Sequence, residues 1–230
     1  MNIAPDTAAV LDALNTLAGG LFLLTAYGIV ATRQARGCLL LFIVQSVLLA
    51  ASALLLGARY QAGHLYAVGI INLVAKPVVI PWILRRTIYE EIYTRREIDQ
   101  VLNIPTSLTI ALVLVVLAYF LTLPLERALA PEFRGANLPI GFAVLFLGAF
   151  TLTVRREAVP LLIGLLAMEN GAFFAGIGVS RELPFLVELA IASDGLIMVF
   201  VLGVLTRAIQ QRVGSTRVGA LATLKEEASR

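Results

Sequence analysis

Seven stretches of this chain are apolar over about the thickness of a bilayer, and that recurrence leaves few ways to fold. They cover residues 10–31, 37–57, 62–84, 104–124, 138–154, 158–179 and 184–208, each bounded by charge or proline. A helix needs roughly 20 apolar residues to cross the hydrocarbon core. The run over 138–154 is short, but it carries no charge. Of the 230 residues, 59% are hydrophobic and 14% charged, against about 25% charged in a soluble domain. The fold expected is all-α: a polytopic membrane protein of seven transmembrane helices, embedded in lipid.

Loop charge orients the spans. One set of alternate segments holds Arg33, Arg36, Arg85, Arg86, Arg95, Arg96, Arg155, Arg156, Arg207, Arg212, Arg217, Lys225 and Arg230. The other set holds Arg59, Arg127, Arg134 and Arg181. Lys/Arg-rich loops stay in the cytoplasm, so the N-terminus is expected outside and the C-terminus inside, which requires an odd number of spans. The basic excess therefore reports topology and not nucleic-acid binding. The N-terminal segment has no basic region before its apolar run and does not read as a cleaved signal peptide.

Redox chemistry finds no footing in the chain. Cys38 is the only cysteine and His64 the only histidine, so neither a disulfide nor a cysteine-held iron–sulfur cluster can be built here. Cys38 reads as a small apolar residue near a helix start, His64 as a polar residue at the membrane interface. In the loop after the third span, Ile88 and Ile92, Tyr89 and Tyr93, and Glu91 and Arg95 are spaced by four, as in a short interfacial helix. A solvated connector fits the same residues.

Four charges stand inside spans: Lys76, Glu169, Glu188 and Asp194. Asp12 lies near the outer end of the first helix, within reach of water. At 1.5 Å per residue, Glu169 is roughly 17 Å from the cytoplasmic edge of its helix, Asp194 roughly 15 Å from the outer edge, Lys76 about 12 Å deep and Glu188 about 6 Å. Insertion scales charge about 2.5–3.5 kcal/mol for an Asp, Lys or Arg at mid-helix, and such groups usually face a bundle interior and mark ion routes. The alternative is interhelical glue, protonated or paired for packing alone. Asn170, Asn72 and Ser193 are the supporting polar residues. Glu188 and Asp194, six apart, cannot share a helix face. Gly164, Gly171, Ala172, Ala175, Gly176 and Gly178 allow close helix approach around Glu169. Pro77 and Pro81 follow Lys76 and withhold backbone donors, so either an opened helix or a plain kink is expected there.

Residues 155–209 resemble the small K subunit of respiratory complex I. "RRE", "LLIGL" and "MEN" track that subunit's loop and second helix, and "ELAIASDGLIMVFVLGVL" its third. Across all seven spans the chain resembles the longer component E of hydrogenase-4-type membrane complexes, which shares the Lys-Pro helix and the Met-Glu-Asn-Gly pattern. The K subunit's glutamate after its Gly-Leu pair falls at Leu166 here, and Glu169 stands one helical turn further on. The second K-subunit glutamate falls at Asp194, while Glu188 suits the hydrogenase-4 pattern. The resemblance implies a four-helix portion over 1–137, a K-subunit-like portion over 138–209 and a basic tail over 210–230.

It also implies a non-catalytic membrane-arm subunit of an ion-translocating redox complex in a bacterial or archaeal inner membrane. Glu169, Asp194, Lys76 and Glu188 would form its proton or Na⁺ relay. Its partners would be antiporter-like proton channels, J-subunit-like and H-subunit-like proteins and a peripheral redox module. Iron–sulfur or nickel–iron centres would belong to those partners, with no cofactor in this chain. A standalone secondary transporter and a purely structural scaffold are the competing readings. A retinal photoreceptor fits poorly, because residues 184–208 contain no lysine.

Overall fold

The computed structural model describes residues 4–82, 102–129 and 135–179. They form six helices long and apolar enough to span a bilayer: α1 (Pro5–Ala31), α2 (Ala35–Tyr60), α3 (Gly63–Trp82), α4 (Ile104–Ala128), α5 (Asn137–Val154) and α6 (Ala158–Val179). No strand occurs among the described residues. The expected seventh span, with Glu188, Ser193 and Asp194, lies outside them, as do the interfacial segment after α3 and the basic tail.

Helix ends follow local chemistry. Pro5 opens α1, where its missing N–H costs nothing. Asn103 caps α4 by accepting the Thr106 N–H at 3.0 Å. Gln61 turns left-handed (φ 56°) to end α2, and the next N–H, of Ala62, returns to the Gly57 carbonyl at 3.1 Å. Pro124 does not end α4 where the sequence suggested; the helix continues to Ala128.

Short turns join α1 to α2, α2 to α3 and α5 to α6, so these neighbours run antiparallel. α1, α2, α5 and α6 enclose the interior, α3 packs on α2, and α4 lies against α5 and α1. Leu112, Val113, Val116, Leu117 and Phe120 of α4 are exposed, a lipid-compatible surface.

Glycines bring α5 and α6 into backbone contact. A Cβ on Gly141 would strike the Ala175 amide nitrogen and the Gly171 carbonyl, and one on Gly171 would come within 2.5 Å of the Leu145 nitrogen. Gly148 meets the Met168 backbone, and Gly178 abuts Asn137. The close approach is thus made by Gly164, Gly171, Gly178 and Ala175 with Gly141 and Gly148. Gly176 faces open space and Ala172 is exposed, so these two expected small residues take no part.

At the end of the bundle holding the α1–α2 and α5–α6 turns, Arg155 is buried. Its guanidinium donates to the carbonyls of Ile29, Val30 and Thr32 at 2.9, 3.0 and 2.6 Å, satisfying the orphan acceptors at the end of α1. Burial lowers its pKa from the usual arginine value. This loop arginine is a helix cap.

Candidate functional site

In α3 the residues Ala75–Val79 form a π-helical turn, the element in which Lys76 and Pro77 sit. Pro77 has no N–H to give and its ring crowds the carbonyl four residues back. The wider turn relieves both, with the Ile80 N–H bonded to the Ala75 carbonyl five residues earlier. Of the two outcomes the sequence left open, opened helix or plain kink, the opened helix is found. Such turns concentrate at functional sites.

Lys76 is 2% exposed, and its ammonium points inward. Nζ donates to Glu169 Oε1 at 2.8 Å and to Asn170 Oδ1 at 2.7 Å, both on α6. Asn170, wholly buried, spends its amide hydrogens on α2, reaching Gln45 Oε1 at 3.3 Å and Ser46 Oγ at 3.2 Å. The ammonium fixes which way this amide points, since only its oxygen can accept. Lys76, Glu169, Asn170, Gln45 and Ser46 thus link α3, α6 and α2.

Two atoms in the cluster keep unused capacity. Glu169 Oε2 and Gln45 Nε2 are buried without a hydrogen-bond partner among the described residues. The Glu169 side chain as a whole is 16% exposed, against 2% for Lys76, although Oε2 itself is buried. An ammonium held by a carboxylate, with one carboxylate oxygen still open, is an arrangement that can trade a proton or release the base when a further charge approaches.

The structure joins Lys76, Glu169 and Asn170 and leaves Asn72 aside. Asn72 is buried, but its amide nitrogen bonds to the Val68 carbonyl of its own helix at 3.1 Å. Gln45 and Ser46 were missed in the sequence, because one glutamine and one serine in an apolar helix carry no signal without their neighbour.

A second polar group, also missed, lies toward the end of the bundle that holds the N-terminus. Asn15 Nδ2 donates to Asn137 Oδ1 (2.7 Å), Asn137 Nδ2 to Ser52 Oγ (3.2 Å) and Ser52 Oγ to Asn15 Oδ1 (2.5 Å). This ring ties α1, α2 and α5. Beyond it, Asp12 takes the Arg59 Nε at 3.2 Å on both oxygens, a partly exposed pair. No group of three metal-ligating side chains occurs among the described residues.

No protein-family model matches the chain, and no solved structure does. The chain is 34% identical over 209 residues to the uncharacterized protein Rv0085 of Mycobacterium tuberculosis, an alignment covering 91% of this chain and 94% of that protein. It is 26% identical over 220 residues to hydrogenase-4 component E of Escherichia coli K12, covering 92% and 97% respectively. The component E of Shigella flexneri aligns equally well. With six helices able to span a bilayer, the chain belongs to one family of membrane proteins with Rv0085, and along nearly its whole length it is similar to hydrogenase-4 component E.

Proposed function

We propose that this chain is a membrane subunit of a hydrogenase-type redox complex and that it couples electron transfer in a peripheral module to movement of protons or Na⁺. The observation that carries the reading is the buried Lys76–Glu169 pair, built on a π-helical turn and left with one open carboxylate oxygen. A pair kept for packing alone gains little, since apolar residues of like volume often stabilise as well or better.

In this reading Glu169 and Asp194 are the main carriers, Lys76 modulates them, and Glu188 leads toward the outer half or a neighbouring subunit. Asn170 holds Lys76 in place, with Asn72 and Ser193 as further polar support. The chain would have seven spans with the N-terminus outside, made up of the 1–137 and 138–209 portions and the 210–230 tail, in a bacterial or archaeal inner membrane. Antiporter-like, J-like and H-like subunits would flank it, and metal centres would reside in the peripheral partner.

The test is Glu169→Gln in the assembled complex, reading ions moved per electron. Loss of pumping with electron transfer retained supports the relay. Pumping at the unaltered ratio refutes it and leaves the scaffold reading. Substrate uptake by the purified single chain in liposomes would instead favour a standalone transporter.

A further inference from the structure

The two polar groups are stacked along the bundle, and what lies between them bears on whether the chain can conduct. On α6, Asn170 belongs to the lysine cluster and Gly178 abuts Asn137 of the ring. They are about 12 Å apart along the helix, and Phe174 lies midway. On α2, Ser46 and Ser52 are about 9 Å apart with Leu49 midway. On α1, Asn15 and Phe22 are two turns apart.

All three intervening residues are fully buried and belong to one apolar cluster, filled out by Val144, Leu147 and Ala53. The rings of Phe22 and Phe174 stack with centroids 4.5 Å apart and planes inclined by 13°. Two nearby threonine hydroxyls are turned to their own helices, Thr25 donating to the Phe22 carbonyl at 2.6 Å and Thr151 to the Leu147 carbonyl at 2.8 Å. A second apolar layer, with Leu39, Phe42, Ile163 and Leu166, lies on the other side of the lysine cluster. Tightly packed apolar layers stay dry, and apolar constrictions stop ion flow by excluding water.

We infer that Phe22, Leu49 and Phe174 form a dry septum separating the Lys76–Glu169 pair from the Asn15–Ser52–Asn137 ring, so that this bundle does not pass protons from one membrane face to the other. Charge reaching the pair enters and leaves sideways, from the side on which the Glu169 side chain is partly exposed. The septum keeps a relay from short-circuiting the gradient it helps to build. The inference deepens the relay reading and rests on it for the role of the pair, but the barrier can be measured without turnover.

The experiment follows collapse of an imposed pH gradient in liposomes carrying the full-length chain, with a trapped pH-sensitive dye. The unaltered chain is expected to match protein-free liposomes. Phe174→Ser with Leu49→Asn opens the septum and Leu166→Ser the second layer; the three together are expected to speed the collapse about ten-fold, while Leu166→Ser alone stays tight behind the intact septum. Adding Glu169→Gln to the triple variant should reverse that leak. Reversal supports septum and relay together, whereas a leak that persists upholds the septum and overturns the role of Glu169. Leak through the unaltered chain or through Leu166→Ser overturns the septum, and so does a folded triple variant (helical and monodisperse in detergent) that stays tight. Should the triple variant not fold, Leu49→Asn with Leu166→Ser is read in the same way. If that also fails, the unaltered chain decides, tightness supporting the septum and leak overturning it.

Discussion

Lys76 and Glu169, 93 residues apart in the chain, meet at 2.8 Å with the ammonium almost wholly withdrawn from solvent. Each would be costly alone in an apolar bundle, and together they hold α3 against α6. Removing one partner of such a pair typically costs about 3–5 kcal/mol, because the other charge is stranded. Lys76→Met should therefore lower the unfolding midpoint in detergent substantially, and Lys76→Met with Glu169→Gln should recover much of the loss. Equal destabilisation by the single and double variants would show that the two do not interact.

Asn170 serves three neighbours at once. Asn170→Leu leaves Ser46, Gln45 and the ammonium short of partners, at about 1–3 kcal/mol for each buried group stranded. Asn72→Leu removes only a bond within its own helix and should cost less, about 0.5–1.5 kcal/mol. Thermal unfolding of the two variants side by side checks the order.

The glycine seam makes a sharp contrast available. Gly141→Ala drives a methyl into the α6 backbone, and overpacking of this kind costs about 1–3 kcal/mol. Gly176→Ala meets nothing within 4 Å and should be neutral or stabilising by about 0.5–1 kcal/mol, since alanine suits a helix better than glycine. Comparable losses at both sites would contradict the packing described.

Pro77→Ala restores a backbone N–H and removes the ring that forces the wide turn. The segment is expected to relax toward an ordinary α-helix, turning Lys76 away from α6. Stability should fall, because both charges lose their partner, and coupling should fall with it, read as ions moved per electron in the assembled complex. Coupling at the unaltered level would mean that the wide turn does not set the position of Lys76.

Asp12 and Arg59 provide a negative control. Their side chains are 51% and 31% exposed, and exposed ion pairs contribute about 0–1 kcal/mol. Arg59→Gln should leave the unfolding midpoint within that range.

Six of the spans were legible because hydropathy sets them directly: α5 and α6 begin and end within a residue of expectation. Lys76, Glu169 and Asn170 stood out as polar residues at depth. Their mutual contact was not readable, because hydropathy says nothing about which helices adjoin. Gln45, Ser46, Asn15, Ser52 and Asn137 were invisible for a related reason. Short polar side chains in an apolar helix gain meaning only from the partner opposite. Pro77 signalled a disturbance but not its kind, since a missing donor is compatible with a kink or a wider turn. Glu188, Ser193 and Asp194 lie outside the described residues.

The seam between α5 and α6 also assigns unequal parts to acid and base. Glu169 is carried on a hairpin whose two backbones are in contact, with no slack for sliding or tilting. Lys76 rides on a strut already unwound by one residue per turn. If the two separate during turnover, the carboxylate acts as the stator and the lysine as the moving arm.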